Sequence, residues 1–380
     1  MKPWTIAVNG AFVRKEVTGV QRAAHELLAA LEAAGDPRFR FLTLTPAPRR
    51  SDRQPERTPA GEVAIDRSRL PGALWMQVRL PGLARRAGAA LLWSPANAGP
   101  VHAEAHVVTI QDAAVFAGPQ WFSRGFRLYY RALLPMLGRR AKVVLTSSEF
   151  SRAELIRHRV APAERIEVIP CGVGAAFRQD APVGRWAERR PFVLALGQRD
   201  PRKNIGAILR AWSLLPTGVR SGVRLLLAGS GEGPFASTGR DPLPGGVEAI
   251  GRVHEDELPG LYRAAEAFVY VSLYEGFGLP PLEAMACGTP VLASRVASIP
   301  EVCGDAAAYV DPLDPSDIAA GLEAVLTDAG LRSRLRAAGV ARAAAFRWDT
   351  AARRTLEVFA RTISAGTRRD AAGRSQGASS

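Results

Sequence analysis

The sequence predicts an α/β protein with two doubly wound, parallel-sheet domains. Short apolar runs alternate with amphipathic helical segments along most of the 380 residues. A segment without periodicity, 178–191, divides this alternation into two similar halves and reads as a linker. In each half the first strand leads to a turn that contains glycine, which is typical of sheets that bind ligands beyond the ends of their strands.

The first half, residues 1–177, contains six predicted strands. They are 5–9, 39–44, 90–93, 107–110, 142–146 and 166–169. Amphipathic helices are expected between them, for example at 21–34 and 149–158. Residues 46–62 are rich in Pro, Arg and Ser and predict a loop.

The second half, residues 192–346, resumes the alternation. Its predicted strands are 192–197, 224–229, 247–250, 267–271, 291–293 and 307–310. Long helices follow, including 348–363, and the small, polar residues 366–380 predict a disordered tail.

Composition narrows the function classes. The net charge of +14 comes almost wholly from arginine and favours anionic partners. No nucleic-acid motif accompanies it, so we expect no nucleic acid partner. No apolar run approaches the roughly 20 residues that cross a bilayer, and three cysteines without metal spacing suit a reducing compartment. We therefore expect a cytoplasmic protein, with the inner face of the membrane as an alternative location.

The most informative segment, 273–293, reads LYEGFGLPPLEAMACGTPVLA. Two carboxylates, Glu275 and Glu283, flank a glycine turn that lies between an apolar strand and a helix. Pro281 suits the first turn of that helix, where a missing N–H costs nothing. The free N–H groups of such a turn attract an anion, so both glutamates are expected near one ligand that carries hydroxyls and phosphate.

This segment resembles the signature of retaining, nucleotide-sugar-dependent glycosyltransferases of family 4, whose GT-B fold places a cleft between two Rossmann-like domains. The resemblance covers nearly the whole chain except the tail. It implies sugar transfer from a nucleotide diphosphate sugar to a hydroxyl of a glycan or lipid-linked glycan, with retained anomeric configuration and without a metal or other cofactor. It also implies that residues 1–177 form the acceptor side, 192–346 bind the donor, and helix 348–363 packs back on the first domain.

The resemblance assigns roles to the 273–293 segment. Glu275 would hold hydroxyls of the donor sugar and Glu283 the ribose diol. Backbone N–H groups of the glycine turn would hold the sugar and its phosphate, and these residues are Gly276, Phe277, Gly278 and Leu279. The similarity is closest to bacterial mannosyl- and rhamnosyl-type enzymes of surface polysaccharides, which makes GDP-mannose the first donor to consider.

A second motif, GQRDPRKN at 197–204, follows a strand and precedes a helix. Charge and helix dipole both favour phosphate at Lys203, and by resemblance this lysine binds the donor diphosphate. Lys203 and Glu275 are the expected catalytic residues. Many family members have an arginine directly after the glycine, whereas this chain has Gln198 followed by Arg199, so Gln198 and Arg199 are the two candidates for that contact, and Arg199 is the cation of the two.

Two first-domain loops complete the predicted site. Gly19 and Val20, in TGVQR, would face the donor phosphates. Gln111 stands where similar enzymes have a histidine beside the donor sugar, with Asp112 after it. An amide can hydrogen-bond sugar hydroxyls but cannot carry a proton. This departure leaves two other hypotheses open: another GT-B enzyme, such as a sugar-nucleotide epimerase or phosphorylase, and a non-catalytic sugar-nucleotide-binding partner in polysaccharide assembly.

Residues 121–140 interleave aromatics and arginines on a predicted helix. This pattern favours ordinary helix packing with arginines that extend to solvent. Peripheral contact with an anionic membrane is the alternative.

Overall fold

The computed structural model describes residues 2–15, 18–47, 61–68, 70–197, 200–229 and 243–377, with side chains described up to residue 366. The first domain holds a parallel sheet of seven strands in the order β3-β2-β1-β4-β5-β6-β7. They are β1 (Trp4–Asn9), β2 (Phe39–Pro46), β3 (Glu62–Asp66), β4 (Leu91–Ser94), β5 (His106–Thr109), β6 (Val143–Thr146) and β7 (Ile166–Val168).

Helices cover both faces of this sheet. They are α1 (Gly19–Ala33), α2 (Gly72–Val78), α3 (Leu80–Arg86), α4 (Ala114–Ala117), α5 (Arg124–Arg140) and α6 (Glu149–Arg157). One face buries Ile6, Val8 and Trp93 with α1, and the other buries Leu92 and Val108 with α2 and α5. Because helices cover both faces of the sheet, the central strands are continuous apolar runs in the sequence. These runs are the signal from which the strands can be predicted.

The second domain repeats this architecture with six parallel strands in the order β10-β9-β8-β11-β12-β13. They are β8 (Phe192–Leu196), β9 (Arg224–Ala228), β10 (Val247–Gly251), β11 (Ala267–Tyr270), β12 (Val291–Ser294) and β13 (Ala307–Val310). Its helices are α7 (Ile205–Leu214), α8 (Thr217–Arg220), α9 (Leu258–Ala264), α10 (Leu279–Ala286), α11 (Ile299–Cys303), α12 (Pro315–Thr327) and α13 (Ala329–Ala344). The fold prediction of two Rossmann-like, doubly wound domains is confirmed.

The last helix, α14 (Trp348–Gly377), crosses back and packs on α1 in the first domain. Its residues Ala352, Phe359 and Ile363 join the core under β1 and β4, and the rings of Phe359 and Trp93 lie 5.8 Å apart between centroids. The helix is longer than predicted and enters the segment 366–380 that the sequence predicts to be disordered. A helix nucleated on a packed surface gains one hydrogen bond for each added residue, so a composition with few apolar residues does not stop it.

The edge strand β3 is absent from the prediction, which places most of this region in a loop. Most of its residues are exposed, including Val63 and Ile65. A strand paired on one side only, with no buried face, leaves no apolar pattern in the sequence.

Candidate active site between the two domains

The topology of the second sheet brings two predicted site segments together. Strand order reverses between β8 and β11, and these strands pair in parallel. The segment that holds Lys203 follows β8, and the turn that holds Glu275 follows β11. Doubly wound sheets bind ligands outside the carboxyl ends of their strands, at the position where strand order reverses. Lys203 and Glu275 therefore lie at the position that the fold itself favours for a ligand.

These two predicted catalytic residues form a direct ion pair. Lys203 Nζ donates to Glu275 Oε1 at 2.6 Å and to Tyr270 Oη at 2.6 Å. It also lies 4.6 Å from the centroid of the Tyr270 ring. Neither charged side chain is completely buried, so the pair keeps access to solvent. Tyr270, at the end of β11, was missed in the sequence because a tyrosine in an apolar strand reads as core.

Gly197 makes room for this lysine. Its φ is +97°, and a Cβ placed there would lie 2.3 Å from Lys203 Cγ. A side chain at this position would both strain the backbone and displace the lysine, so glycine is required. Arg199 lies outside the described residues, and its phosphate contact stays a prediction.

A second cation lies beside Lys203. Arg202 binds the Asp200 carboxylate through two guanidinium nitrogens, with Nη2 2.8 Å from Oδ2 and Nε 3.1 Å from Oδ1. The same guanidinium lies 5.5 Å from the ring centroid of Phe122, in the first domain. Burial acts to lower the pKa of Arg202, but the nearby charges, first Asp200 and then Glu275 and Asp112, raise it above its ordinary value. Arg202 therefore adds permanent positive charge where the two domains meet.

The glycine turn after β11 docks on the first domain through its backbone. The Gly276 carbonyl accepts hydrogen bonds from three hydroxyls, at 3.3, 2.6 and 2.8 Å, from Ser147, Ser148 and Ser151. A Cβ on Gly276 would lie 2.6 Å from the Gln111 carbonyl oxygen. The absence of a side chain at Gly276 thus permits the two domains to touch. The structure brings Gly276 and Gln111 together, as the prediction of a shared site requires.

The rest of the turn is fixed within its own domain. Ser298 Oγ donates to the carbonyls of Glu275 and Phe277, at 2.9 and 2.7 Å. The Phe277 ring packs against Phe346 in the core, with 5.7 Å between centroids, and Leu279 is buried in the same core. The side chains of Phe277 and Leu279 are therefore committed to packing, and the role of their N–H groups in ligand binding stays a prediction.

Gln111 and Asp112 line the first-domain side of this contact. The Gln111 backbone N–H donates to Asn97 Oδ1 at 2.7 Å, and its side chain is buried. Burial raises the pKa of Asp112, while the charge of Arg202 acts in the opposite direction. Asp112 Oδ1 accepts from the Ala114 N–H at 2.9 Å, which holds the carboxyl group at the start of α4.

Glu283 has protein partners on both carboxylate oxygens. Arg22 of the first domain donates from Nη1 to Oε1 at 2.7 Å, and the Tyr262 hydroxyl donates to Oε2 at 3.1 Å. The Glu283 side chain is 2% exposed. The family resemblance implies that this residue binds the ribose diol, but nothing in the sequence indicates that an arginine of the other domain pairs with its carboxylate.

Gly19 and Val20 are the first two residues of α1 and lie in different environments. Gly19 is exposed, and a Cβ there would meet no atom within 4 Å, so the space beside it is open. Val20 packs partly against the core between α1 and α14. The side chain of Val20 is therefore a packing element, and only its backbone remains a candidate for a phosphate contact.

A carboxylate of the second domain caps a helix of the first. Glu301 accepts from the backbone N–H groups of Glu149 and Phe150 at 2.8 and 3.0 Å, at the start of α6. These N–H groups have no partner within the helix, and a negative charge there is favoured by the helix dipole. The contact adds a further polar connection across the domain interface.

No group of three or more His, Cys, Asp or Glu side chains that could hold a metal ion occurs among the residues that the structure describes. No helix in this part of the chain is both long and apolar enough to cross a membrane. Metal independence of the reaction stays a prediction.

Comparisons with known proteins identify the family. The family described as "Glycosyl transferases group 1" matches residues 177–342, and "Glycosyltransferase Family 4" matches residues 17–177. The O-antigen chain mannosyltransferase B of Escherichia coli is 35% identical over 271 residues, which cover 68% of this chain and 71% of the relative. The chain is a family 4 glycosyltransferase. The resemblance inferred from the 273–293 segment is therefore confirmed.

Another relative agrees with this assignment, and solved structures share the fold. The serotype-specific mannosyltransferase WbdA of Escherichia coli is 31% identical over 65% of this chain, but the match spans only 32% of WbdA. Sucrose-phosphate synthase from Thermosynechococcus elongatus superposes with a TM-score of 0.73 at 23% identity, over 95% of this chain and all of that one. Anabaena Alr3699/HepE in complex with UDP-glucose superposes with a TM-score of 0.68 at 16% identity, over 94% and 99%. These structures establish the GT-B fold of this glycosyltransferase.

Proposed function

We propose that this glycosyltransferase moves a hexosyl group from a nucleotide diphosphate sugar to a hydroxyl of a glycan or lipid-linked glycan, with retention and without a metal. The observation that carries the proposal is the Lys203–Glu275 pair at the carboxyl ends of β8 and β11, beside the docked glycine turn. A cation and a carboxylate held at one point suit a ligand that joins a diphosphate to a hydroxylated ring.

The chemistry follows from these positions. The bond between the anomeric carbon and the donor phosphate breaks, and a bond from the acceptor oxygen to the same carbon forms. Negative charge grows on the departing diphosphate, where Lys203, Arg202 and the start of α7 supply positive charge in a largely closed site. The acceptor attacks from the face of the leaving group, and its proton passes to the departing phosphate oxygen. Glu275 holds sugar hydroxyls during this step.

Mannose is the proposed sugar. Several relatives, including O-antigen chain mannosyltransferase B and WbdA of Escherichia coli, are mannosyltransferases by name. GDP-mannose is therefore the first donor to test. UDP-glucose is the second, because Alr3699/HepE is described in complex with it.

A thermal-shift screen over nucleotide sugars tests the donor assignment directly. A true donor at about 100 times its Kd adds about 2.7 kcal/mol of stability. The matched control is the Glu283→Gln variant, in which this gain should shrink because the ribose contact is weakened. Absence of any shift with all nucleotide sugars, in a folded protein, would contradict the proposed function.

Incubation with the donor but without an acceptor distinguishes a glycosyltransferase from an epimerase of the same fold. A glycosyltransferase leaves most of its donor intact under these conditions, whereas an epimerase converts the sugar nucleotide. Incubation with inorganic phosphate as the only acceptor distinguishes the glycosyltransferase from a phosphorylase of the same fold.

We also propose that α5 rests on an anionic membrane surface. Leu128 (68% exposed), Tyr129 and Met136 lie outward on this helix. The helix carries five arginines and no acidic residue over Arg124–Arg140. An apolar strip among arginines fits an interface of acyl chains and anionic head groups. The pattern at 121–140 therefore serves packing on its inner face, through Leu133 and Leu137, and leaves its outer face for lipid.

Vesicle co-flotation tests this surface. The protein should float with vesicles that contain phosphatidylglycerol and remain in solution with phosphatidylcholine alone. Leu128→Glu should abolish flotation, whereas the control Leu313→Glu, at a similarly exposed leucine of the second domain, should not. Equal flotation of both variants would rule out α5 as the contact.

A further inference from the structure

A three-residue ion cluster, here named the Arg22 bridge, joins the two domains. It consists of Arg22 on α1, Glu283 on α10 and Glu255 in the short 3-10 turn before α9. Arg22 Nη1 lies 2.7 Å from Glu283 Oε1, and Arg22 Nε lies 2.9 Å from Glu255 Oε1. One guanidinium fork of the first domain therefore holds two carboxylates of the second.

The electrostatics of the bridge make it stable in the closed arrangement. Burial acts to lower the pKa of Arg22, but the charges of Glu283 and Glu255 outweigh it and hold this pKa above its ordinary value. The Glu283 carboxylate would be costly to bury without its partner, since a desolvated charge that loses its counter-ion is strongly destabilised. Closure of the domains and pairing of Arg22 are therefore coupled.

The bridge also conflicts with the ribose role of Glu283. At 2% exposure, with one oxygen on Arg22 and the other on Tyr262, the carboxylate cannot receive a diol without a movement. Tyr262 belongs to the same domain as Glu283 and stays with it when the domains separate. Arg22 belongs to the other domain, so its contact is the one that opening breaks.

We propose that Arg22 is a positioning residue that controls access of the donor nucleoside to Glu283. In the donor-free enzyme it holds the carboxylate across the closed interface, and binding of a nucleoside diphosphate exchanges this contact for the ribose diol. This inference rests on the proposed function of Glu283 and goes beyond it, because it assigns a competing partner to that carboxylate.

The exchange has an unusual consequence for affinity. The apparent affinity of a ligand falls by the fraction of molecules that are in a competent state. Loss of the Arg22 bridge increases the fraction of molecules in which Glu283 can receive the ribose, so removing Arg22 should tighten nucleotide binding. An arginine that bound the donor phosphates directly would have the opposite effect when removed. The sign of the change therefore decides between the two roles.

Calorimetric titration with GDP and with UDP measures this sign. Arg22→Gln should bind the cognate nucleotide about tenfold more tightly than the wild type. Arg38→Gln is the matched control, because Arg38 is an exposed arginine of the same domain that pairs locally with Asp36. Its affinity should equal that of the wild type. Unchanged or weaker binding by Arg22→Gln would overturn the inference.

Small-angle scattering without nucleotide gives an independent readout. Arg22→Gln should be measurably more expanded than the wild type, with Glu255→Gln between them. An equally compact Arg22→Gln protein would also overturn the inference. If neither nucleotide binds the wild type, the proposed donor function fails, and scattering alone then decides whether the bridge controls closure.

A milder variant protects the test from a folding defect. Arg22→Lys keeps the positive charge but loses the planar fork that binds two carboxylates. It should show intermediate compactness and an affinity gain smaller than that of Arg22→Gln. An affinity equal to that of the wild type would contradict the bridge as described.

Discussion

The two glutamates of the 273–293 segment differ in where their cationic partners come from. Glu275 pairs with Lys203 inside the second domain, 2.6 Å from its Nζ. Glu283 pairs with Arg22 of the first domain, 2.7 Å from its Nη1. The first pair survives any separation of the domains, whereas the second exists only when they are closed. The pairing of Glu275 is thus fixed by the fold of the second domain alone, whereas the pairing of Glu283 depends on closure of the two domains. The sequence shows no such difference between the two acids.

Removing the lysine of the Lys203–Glu275 pair should reduce activity most. Lys203→Ala should lower kcat/KM by about 10²–10³, because one electrostatic contact to the departing diphosphate is lost. Steady-state kinetics with the cognate donor measures it. Lys142→Ala is the matched control, since Lys142 is exposed and lies before β6, at the amino ends of the strands. Near-normal turnover in folded Lys203→Ala would reject its catalytic role.

Separate substitutions of Glu275 and Glu283 should affect different steps. Glu283→Gln should weaken the free nucleoside diphosphate and the full donor alike, because the lost ribose contact is common to both and outweighs the gain from releasing Arg22. Glu275→Gln should leave nucleotide affinity almost intact and lower kcat, because its contact belongs to the reacting sugar. Glu275 lies in the turn that precedes α10, whereas Glu283 is the fifth residue of that helix, so the two carboxylates stand at different points of the proposed donor site.

Calorimetry with nucleotide and steady-state kinetics with donor should be run on both variants. If Glu275→Gln loses as much nucleotide affinity as Glu283→Gln, the division of roles is wrong. The two residues would then act as one network.

Gly276→Ala tests the docking of the domains without removing a charge. A Cβ there would lie 2.6 Å from the Gln111 carbonyl oxygen, so the two domains must move apart at this point. We expect kcat to fall by about tenfold with little loss of nucleotide affinity. Gly218→Ala, where a Cβ would meet nothing within 4 Å, is the control. Equal kinetics for the two variants would show that this contact is not needed for turnover.

Removal of divalent metal ions by a chelator should change the activity least. Lys203 and Arg202 already supply positive charge beside the proposed diphosphate, so activity should persist in EDTA. An assay with and without chelator measures this. Activity that disappears in EDTA and returns with Mg²⁺ or Mn²⁺ would contradict metal-independent transfer.

Local patterns in the sequence were sufficient for most of the fold. Buried strands such as β1, β8 and β11 are apolar runs with glycine or polar residues after them, and this signal depends only on neighbours in the chain. The edge strand β3 lacks it because its residues face solvent. The positions of Lys203 and Glu275 followed from motif order, since the carboxyl ends of parallel strands share one edge of the sheet.

Contacts between the domains had no such signal. Arg22 and Glu283 are 261 positions apart, and the Gly276 carbonyl meets serines about 125–129 positions away. Arg22 and Arg202 lie inside the motifs TGVQR and GQRDPRKN, yet nothing local shows what an arginine will pair with. Long-range electrostatic pairing depends on the relative placement of two separately folded sheets, which no periodicity records.

The return of α14 to the first domain has a consequence for the order in which the protein is made. Its residues Ala352 and Phe359 fill the core over α1, yet they are synthesised after the entire second domain. On the ribosome, the domain that begins first therefore finishes folding last, with the apolar face of α1 uncovered in the meantime. Nascent chains that stop before residue 348 should expose this face to chaperones, although their second domain is already complete.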